Sequence, residues 1–150
     1  MQLKEIGRIF NNFKDERETP RQGKFSSEKS SIKILPEYRD VLKGLEEVEF
    51  ILVFYWGNKV DRENLKIEAN FNNKNIKRNT EKGCRNLVEG KEYGVFSIRT
   101  LNRPNPIGLC VCKIISIEKD KIEVIGLDAY DNTVLLDIKP YIKEIDNDIF

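Results

Sequence analysis

Hydrophobic positions along this chain recur mostly at a spacing of two, the period of a strand with one buried face. Residues 6–10 form a short apolar-rich run between polar neighbours, and in 31–35 Ile32 and Ile34 share a face. Phe50–Trp56 is a continuous aromatic and β-branched run, consistent with a buried strand. Residues 65–69 alternate weakly, and 94–99 alternate with Val95 opposite in phase to Phe96. The runs 109–118 and 121–127 flank Lys119-Asp120, which predicts a tight hairpin. A last strand is predicted over 134–138, closed by Pro140. One stretch has helical spacing. In 36–44 Pro36 suits the first turn, Tyr38, Val41 and Leu42 lead to Leu45, and Gly44 suits the C-terminal cap. The asparagine cluster at 70–75 reads as a loop. Many short strands with one short helix predict a mainly β fold, a compact antiparallel β-barrel. There is no GxGxxG after a strand and no strand–helix alternation, so a Rossmann fold is not supported.

Composition narrows the chemistry more than the fold. The 150 residues suit a single domain over 1–150, and 39% apolar content suffices for one core. The net charge of +1 demands neither nucleic acid nor membrane as a partner. The opening MQLKEIGRIF lacks the apolar stretch of a signal peptide, and Phe50–Trp56 is too short to span a bilayer. Cys84, Cys110 and Cys112 are odd in number and lack CxxC spacing. That argues against a disulfide framework or a metal site and suits a reducing, cytoplasmic location. The chain contains no histidine, which removes histidine triads, Cys-His pairs and HExxH zinc sites. Charge is uneven. Lys74, Lys77, Arg78, Lys82 and Arg85 face only Glu81 within 74–86, whereas residues 113–150 hold nine acids against five bases. A basic loop of this kind either steers a polyanion or is simply solvated.

The most unusual stretch is Arg99-Thr100-Leu101-Asn102-Arg103-Pro104-Asn105-Pro106-Ile107-Gly108-Leu109. Each proline fixes its own φ and extends the residue before it, giving a stiff loop with little entropy to lose on binding. Arg99 and Arg103 offer planar donor forks to a carboxylate or phosphate. Gly108 permits close approach to the backbone. A rigid turn with solvated arginines is the structural alternative. Asp137 and Lys139 share a strand face, which predicts an internal ion pair.

The string RPNPIGL at 103–109, with Arg99 four residues before it, resembles the signature of the TrmO/TsaA-like family. The likeness continues in Gly94-Val95-Phe96, in Gly126-Leu127-Asp128-Ala129-Tyr130-Asp131-Asn132-Thr133 and in Leu136-Asp137-Ile138-Lys139-Pro140-Tyr141-Ile142. Thr19-Pro20-Arg21-Gln22 resembles the family's PRQ element, and Phe50–Trp56 takes the place of its aromatic central strand. The resemblance implies a barrel that binds S-adenosylmethionine (SAM) and works as a homodimer with the site near the subunit interface. It implies methylation of N6 of threonylcarbamoyladenosine in tRNA. A methyltransferase for a small molecule and a non-catalytic SAM-binding module remain the alternatives.

By the same resemblance, cofactor contacts fall on Pro20, Arg21, Gln22, Asn58, Lys59, Arg99, Leu109, Asp128, Ala129, Tyr130 and Asp131. Chemically, Asp128 or Asp131 suits the ribose hydroxyls or the ammonium, and Arg21 or Arg99 suits the carboxylate. Leu109 and Ile107 suit the adenine face. Turn formation by Tyr130-Asp131-Asn132-Thr133 is a second role for the aspartates. Arg103 and Asn105 are the candidate substrate contacts. No metal ligand, membrane contact or general base is assigned.

Overall fold

Among the described residues strand-period alternation produces eight strands: β1 (Gly7–Phe10), β2 (Lys29–Ile34), β3 (Phe50–Trp56), β4 (Lys66–Glu68), β5 (Glu92–Gly94), β6 (Ile107–Glu118), β7 (Lys121–Ile125) and β8 (Thr133–Pro140). The structure, a computed structural model, describes residues 1–15, 18–20, 23, 26–69 and 87–147. The chain divides into two compact units, Met1–Asn58 with Ile107–Phe150, and Lys59–Pro106. In the first unit six strands close an antiparallel barrel in the order β1-β2-β7-β6-β3-β8, with β8 returning to β1. Closure leaves no strand edge unpaired. The second unit holds the β4–β5 pair.

Alternation decides which side chains fill the barrel. Ile9, Ile32, Ile51, Val53, Cys112, Ile122, Val124 and Leu135 are fully buried. Their sequence neighbours on β6, Ile107, Leu109 and Val111, face outward and stay exposed. The hairpin predicted at Lys119-Asp120 forms between β6 and β7, with Lys119 at φ 52 in the left-handed region.

Three local expectations are corrected. The helix over 36–44 is a 3-10 helix, Pro36–Leu42, followed by a second, Leu45–Glu47. Tyr38 and Lys43 donate to carbonyls three residues back, and Leu42 alone of that stretch is buried, too little apolar contact to sustain α-helical turns. The α-helix, α1, is instead Lys143–Asp146. The strand over 94–99 ends at Gly94, and Val95–Ser97 coils into a 3-10 turn. Arg103 takes the carbonyls of Val95 and Ile98 that a strand partner would need. The Asp137–Lys139 pair forms at 3.1 Å but on the outer surface, because a bulge opposite Phe54 and Tyr55 skips Leu136 and turns Asp137 outward. An exposed pair of this kind adds at most about 1 kcal/mol.

The inward–outward division is directly testable. Ile51→Ala should cost about 2–5 kcal/mol of unfolding free energy. Ile115→Ala, on the neighbouring strand but exposed, should stay within about 0.5 kcal/mol. Guanidinium denaturation of both variants measures the contrast, and equal losses would contradict it.

Candidate functional site

At one end of the barrel the inward face of β3 changes character. Ile51 and Val53 are aliphatic, but Tyr55 carries a hydroxyl into the interior. That hydroxyl donates to Oδ1 of Asp128 at 2.6 Å. Cys110 Sγ donates to the same oxygen at 2.7 Å. Burial and then the Asp128 carboxylate push the Tyr55 phenol and the Cys110 thiol far above their ordinary ranges. Cys112, fully buried, is pushed up in the same way. These groups therefore keep their protons and act as donors, not as nucleophiles or bases. The second oxygen of Asp128 accepts no hydrogen bond among the described residues.

Close backbone packing makes this arrangement fit. A Cβ on Gly108 would lie 2.1 Å from the Tyr55 ring, so only glycine lets the ring lie across β6. A Cβ on Gly23 would lie 1.6 Å from the Gly126 carbonyl oxygen. Gly23 thus abuts Gly126 and Leu127. Pro20 lies half-buried, while Arg21 and Gln22 lie outside the described residues. Gly126 itself, at φ 102, packs on Val111 and Cys112 of β6.

The 129–132 segment is tied to the end of β1. Asn11 donates through its side chain to the Ala129 carbonyl at 3.0 Å and to Ser30. The Asn11 amide donates to Asp131 Oδ1 at 3.0 Å, and the Asp131 amide donates to the Phe13 carbonyl at 2.7 Å. Ala129 is buried and Tyr130 half-buried. Asn132 at φ 62 completes the turn into β8. The turn role foreseen for Asp131 is therefore real, whereas Asp128 engages Tyr55 and Cys110.

In the first unit Asp128 thus meets β6 through Cys110, while Ala129 and Asp131 meet the end of β1 through Asn11. Leu109 of β6 lies on the outer face at 47% exposure. Asn58 is exposed just beyond β3. Lys59, Arg99, Arg103 and Asn105 belong to the second unit. In that unit Arg103 donates to the carbonyls of Thr100, Val95 and Ile98, so its fork organises the loop. Arg99 and Asn105 are exposed. The basic stretch 74–86, with Cys84, lies outside the described residues.

Sequence reasoning missed Tyr55, Asn11 and Gly23. A polar-tipped residue at an inward position of an otherwise apolar strand was the signal for Tyr55. Nothing in the sequence pairs Asn11 with residues 129–131. Among the described residues no cluster of three metal-ligating side chains occurs, and no helix is long and apolar enough to cross a membrane.

Residues 8–147 match the family described as the tRNA-methyltransferase O N-terminal domain. The chain belongs to the tRNA-methyltransferase O (TrmO) family. An S-adenosyl-L-methionine-binding protein of Archaeoglobus fulgidus is 40% identical over 146 residues, covering 97% of this chain and 93% of that protein. A mouse tRNA (adenine(37)-N6)-methyltransferase is 43% identical over 60 residues, covering 40% of this chain and 14% of the mouse protein. The crystal structure of TrmO from Pseudomonas aeruginosa superimposes with a TM-score of 0.71 at 25% identity. That alignment covers 97% of this chain and 58% of the Pseudomonas chain, so the present chain spans a little over half of the crystallised protein. The closed antiparallel barrel is thus the TrmO fold.

The raised thiols set the alkaline behaviour of this TrmO-family barrel. The folded state holds its thiol protons while the unfolded state releases them above about pH 8.5. The unfolded state then binds fewer protons, so stability should fall as pH rises past that value. In a Cys84→Ser background, thermal unfolding should show this decline, and adding Cys110→Ala and Cys112→Ala should flatten it until tyrosine titrates. An unchanged alkaline slope in that variant would contradict the assignment.

Proposed function

We propose that this TrmO-family chain is a SAM-dependent methyltransferase whose acceptor is N6 of threonylcarbamoyladenosine in tRNA. One observation carries the reading. The Asp128 carboxylate is held through one oxygen from inside the barrel and takes no hydrogen bond through the other among the described residues, in a chain that matches the tRNA-methyltransferase O domain over 8–147. The residues present suit the cofactor. An open carboxylate oxygen suits hydroxyl and ammonium donors, and exposed Leu109 and Ile107 suit an aromatic base. The glycine-on-glycine contact at Gly23 and Gly126 leaves the mouth to backbone, where a side chain would fill it.

When bound, SAM supplies a methyl group activated by a sulfonium. The chain binds, orients and excludes water. Asp128 anchors the donor-bearing part of the cofactor. By the family resemblance Pro20, Arg21, Gln22 and Asn58 complete its surroundings, with Arg21 on the carboxylate. Ala129, Tyr130 and Asp131 contribute a backbone stiffened by Asn11. Tyr55, Cys110 and Cys112 hold their protons and serve as no base. The acceptor nitrogen adjoins a carbonyl, which acidifies its proton; that proton would be lost to bulk solvent as the methyl moves from sulfur to nitrogen and sulfur keeps the electron pair of the broken bond. Asn105 and the loop pinned by Arg103 lie on the substrate side.

The protein acts as a homodimer in the cytoplasm. Support for the dimer comes from the outer face of the barrel. There Trp56, Phe54 and Leu52 of β3 lie in register with Ile107, Leu109 and Val111 of β6. The three β6 side chains and Phe50 are exposed, a continuous apolar face of the kind that monomers avoid. The two free buried thiols support the cytoplasm.

Calorimetric titration should give saturable binding of SAM and none of ATP, and Asp128→Asn should weaken it about tenfold or more. Labelled methyl should pass from SAM to tRNA bearing threonylcarbamoyladenosine and not to tRNA lacking it. SAM binding without transfer to any acceptor would make the chain a binding module and contradict the enzyme reading. Val111→Glu should leave the barrel folded but shift sedimentation from dimer to monomer and weaken SAM binding with it. A dimer that survives this change would refute the interface.

A further inference from the structure

The second unit presents one side chain in a way that neither its packing nor the cofactor explains. Phe96 is 92% exposed, whereas its neighbour Val95 is 4% exposed. The turn that carries it is clamped on both sides. The Val95 amide donates to the Leu65 carbonyl at 3.0 Å, and Ser97 Oγ donates to the Gly94 carbonyl at 2.8 Å. One nitrogen of Arg103 then accepts the load of both flanking carbonyls, donating to Val95 at 2.7 Å and Ile98 at 2.5 Å. The ring is therefore held out on a fixed backbone, and little entropy is left to lose when something stacks on it. Three residues on, Arg99 is exposed and makes no hydrogen bond or ion pair among the described residues.

Charge indicates what meets that ring. In sequence, Lys59–Pro106 carries eleven lysines and arginines against six acids, a net +5 of which residues 70–86, outside the described residues, supply +4, while the remainder of the chain is net −4. The near-neutral total thus hides a basic unit, and an exposed aromatic on a basic unit is the combination that binds unpaired nucleotides. We propose that Phe96, presented by the Arg103-clamped turn and accompanied by Arg99, is a stacking platform for an unpaired base of single-stranded RNA. The inference rests on the tRNA acceptor proposed above. It gives the arginine of RPNPIGL a definite task, holding the platform rather than touching RNA itself. A phenyl ring has no donor or acceptor, so the contact tolerates any base and adds affinity without reading sequence.

The test uses the full chain and two labelled RNAs, a stem–loop with an adenosine-rich loop and a fully paired duplex of equal length. In fluorescence polarisation Phe96→Ala should weaken the stem–loop about tenfold and the duplex hardly at all. Its salt dependence should match wild type, because no phosphate contact is lost. Phe96→Trp should restore affinity, and its added emission should be quenched on binding, read as the difference from Trp56 alone. SAM affinity by calorimetry should be unchanged in both variants. Wild-type affinity of Phe96→Ala for the stem–loop, or equal losses on both RNAs, would overturn the platform and leave the tRNA reading standing. A fall in oligomeric state with Phe96→Ala would assign the ring to a contact between copies instead. Wild-type protein that binds SAM but neither RNA would overturn the tRNA reading and this inference together.

Discussion

The hydrogen bond from Tyr55 to Asp128 ties the end of β3 to the segment that follows β7, and the neighbouring sequence is shaped around it. The phenol must lie inside the barrel to reach the carboxylate, so it occupies an inward position of β3. The ring then needs space above β6, which Gly108 provides. Cys110, the next inward residue of β6, adds a second donor to the same oxygen. A buried carboxylate oxygen without donors costs several kcal/mol, on the order of an unpaired charged group. Two donors remove that cost on one side and leave the other oxygen for a ligand. The RPNPIGL string is thus partly a packing code, with its glycine serving a tyrosine more than fifty residues away in sequence.

Most of the fold was legible because a half-buried strand writes its burial into every second residue. Ile32 and Ile34, the aromatic run Phe50–Trp56 and the Lys119-Asp120 hairpin all appear in the structure where the pattern puts them. The pattern failed where long-range polar contacts override local period. Residues 94–99 alternate as a strand would, yet Arg103 draws their carbonyls into a turn. Residues 36–44 carry helical spacing, but one buried leucine is too little to hold an α-helix. Asp137 was expected inside, and a single skipped residue in the β8 register sent it out.

The candidate site divides in the same manner. Asp128 and its neighbours were visible through their resemblance to known signatures, and the turn at Asp131-Asn132 through its residue types. Tyr55, Asn11 and Gly23 were not, because each acts through a partner distant in sequence. The charge split was half visible. The basic stretch stood out, but only the division into two units shows that a net +5 region is offset by a net −4 barrel. The chain thus separates opposite net charges along its length.

The central claim is that Asp128 and the segments packed around it hold the cofactor. Hydrogen–deuterium exchange with and without saturating SAM tests it most directly, because it reads every backbone amide without a mutation. The account predicts added protection concentrated at residues 126–131 and 18–23, with β1, β2 and β7 unchanged. Protection confined to other parts of the chain, with those two segments unaffected, would contradict it.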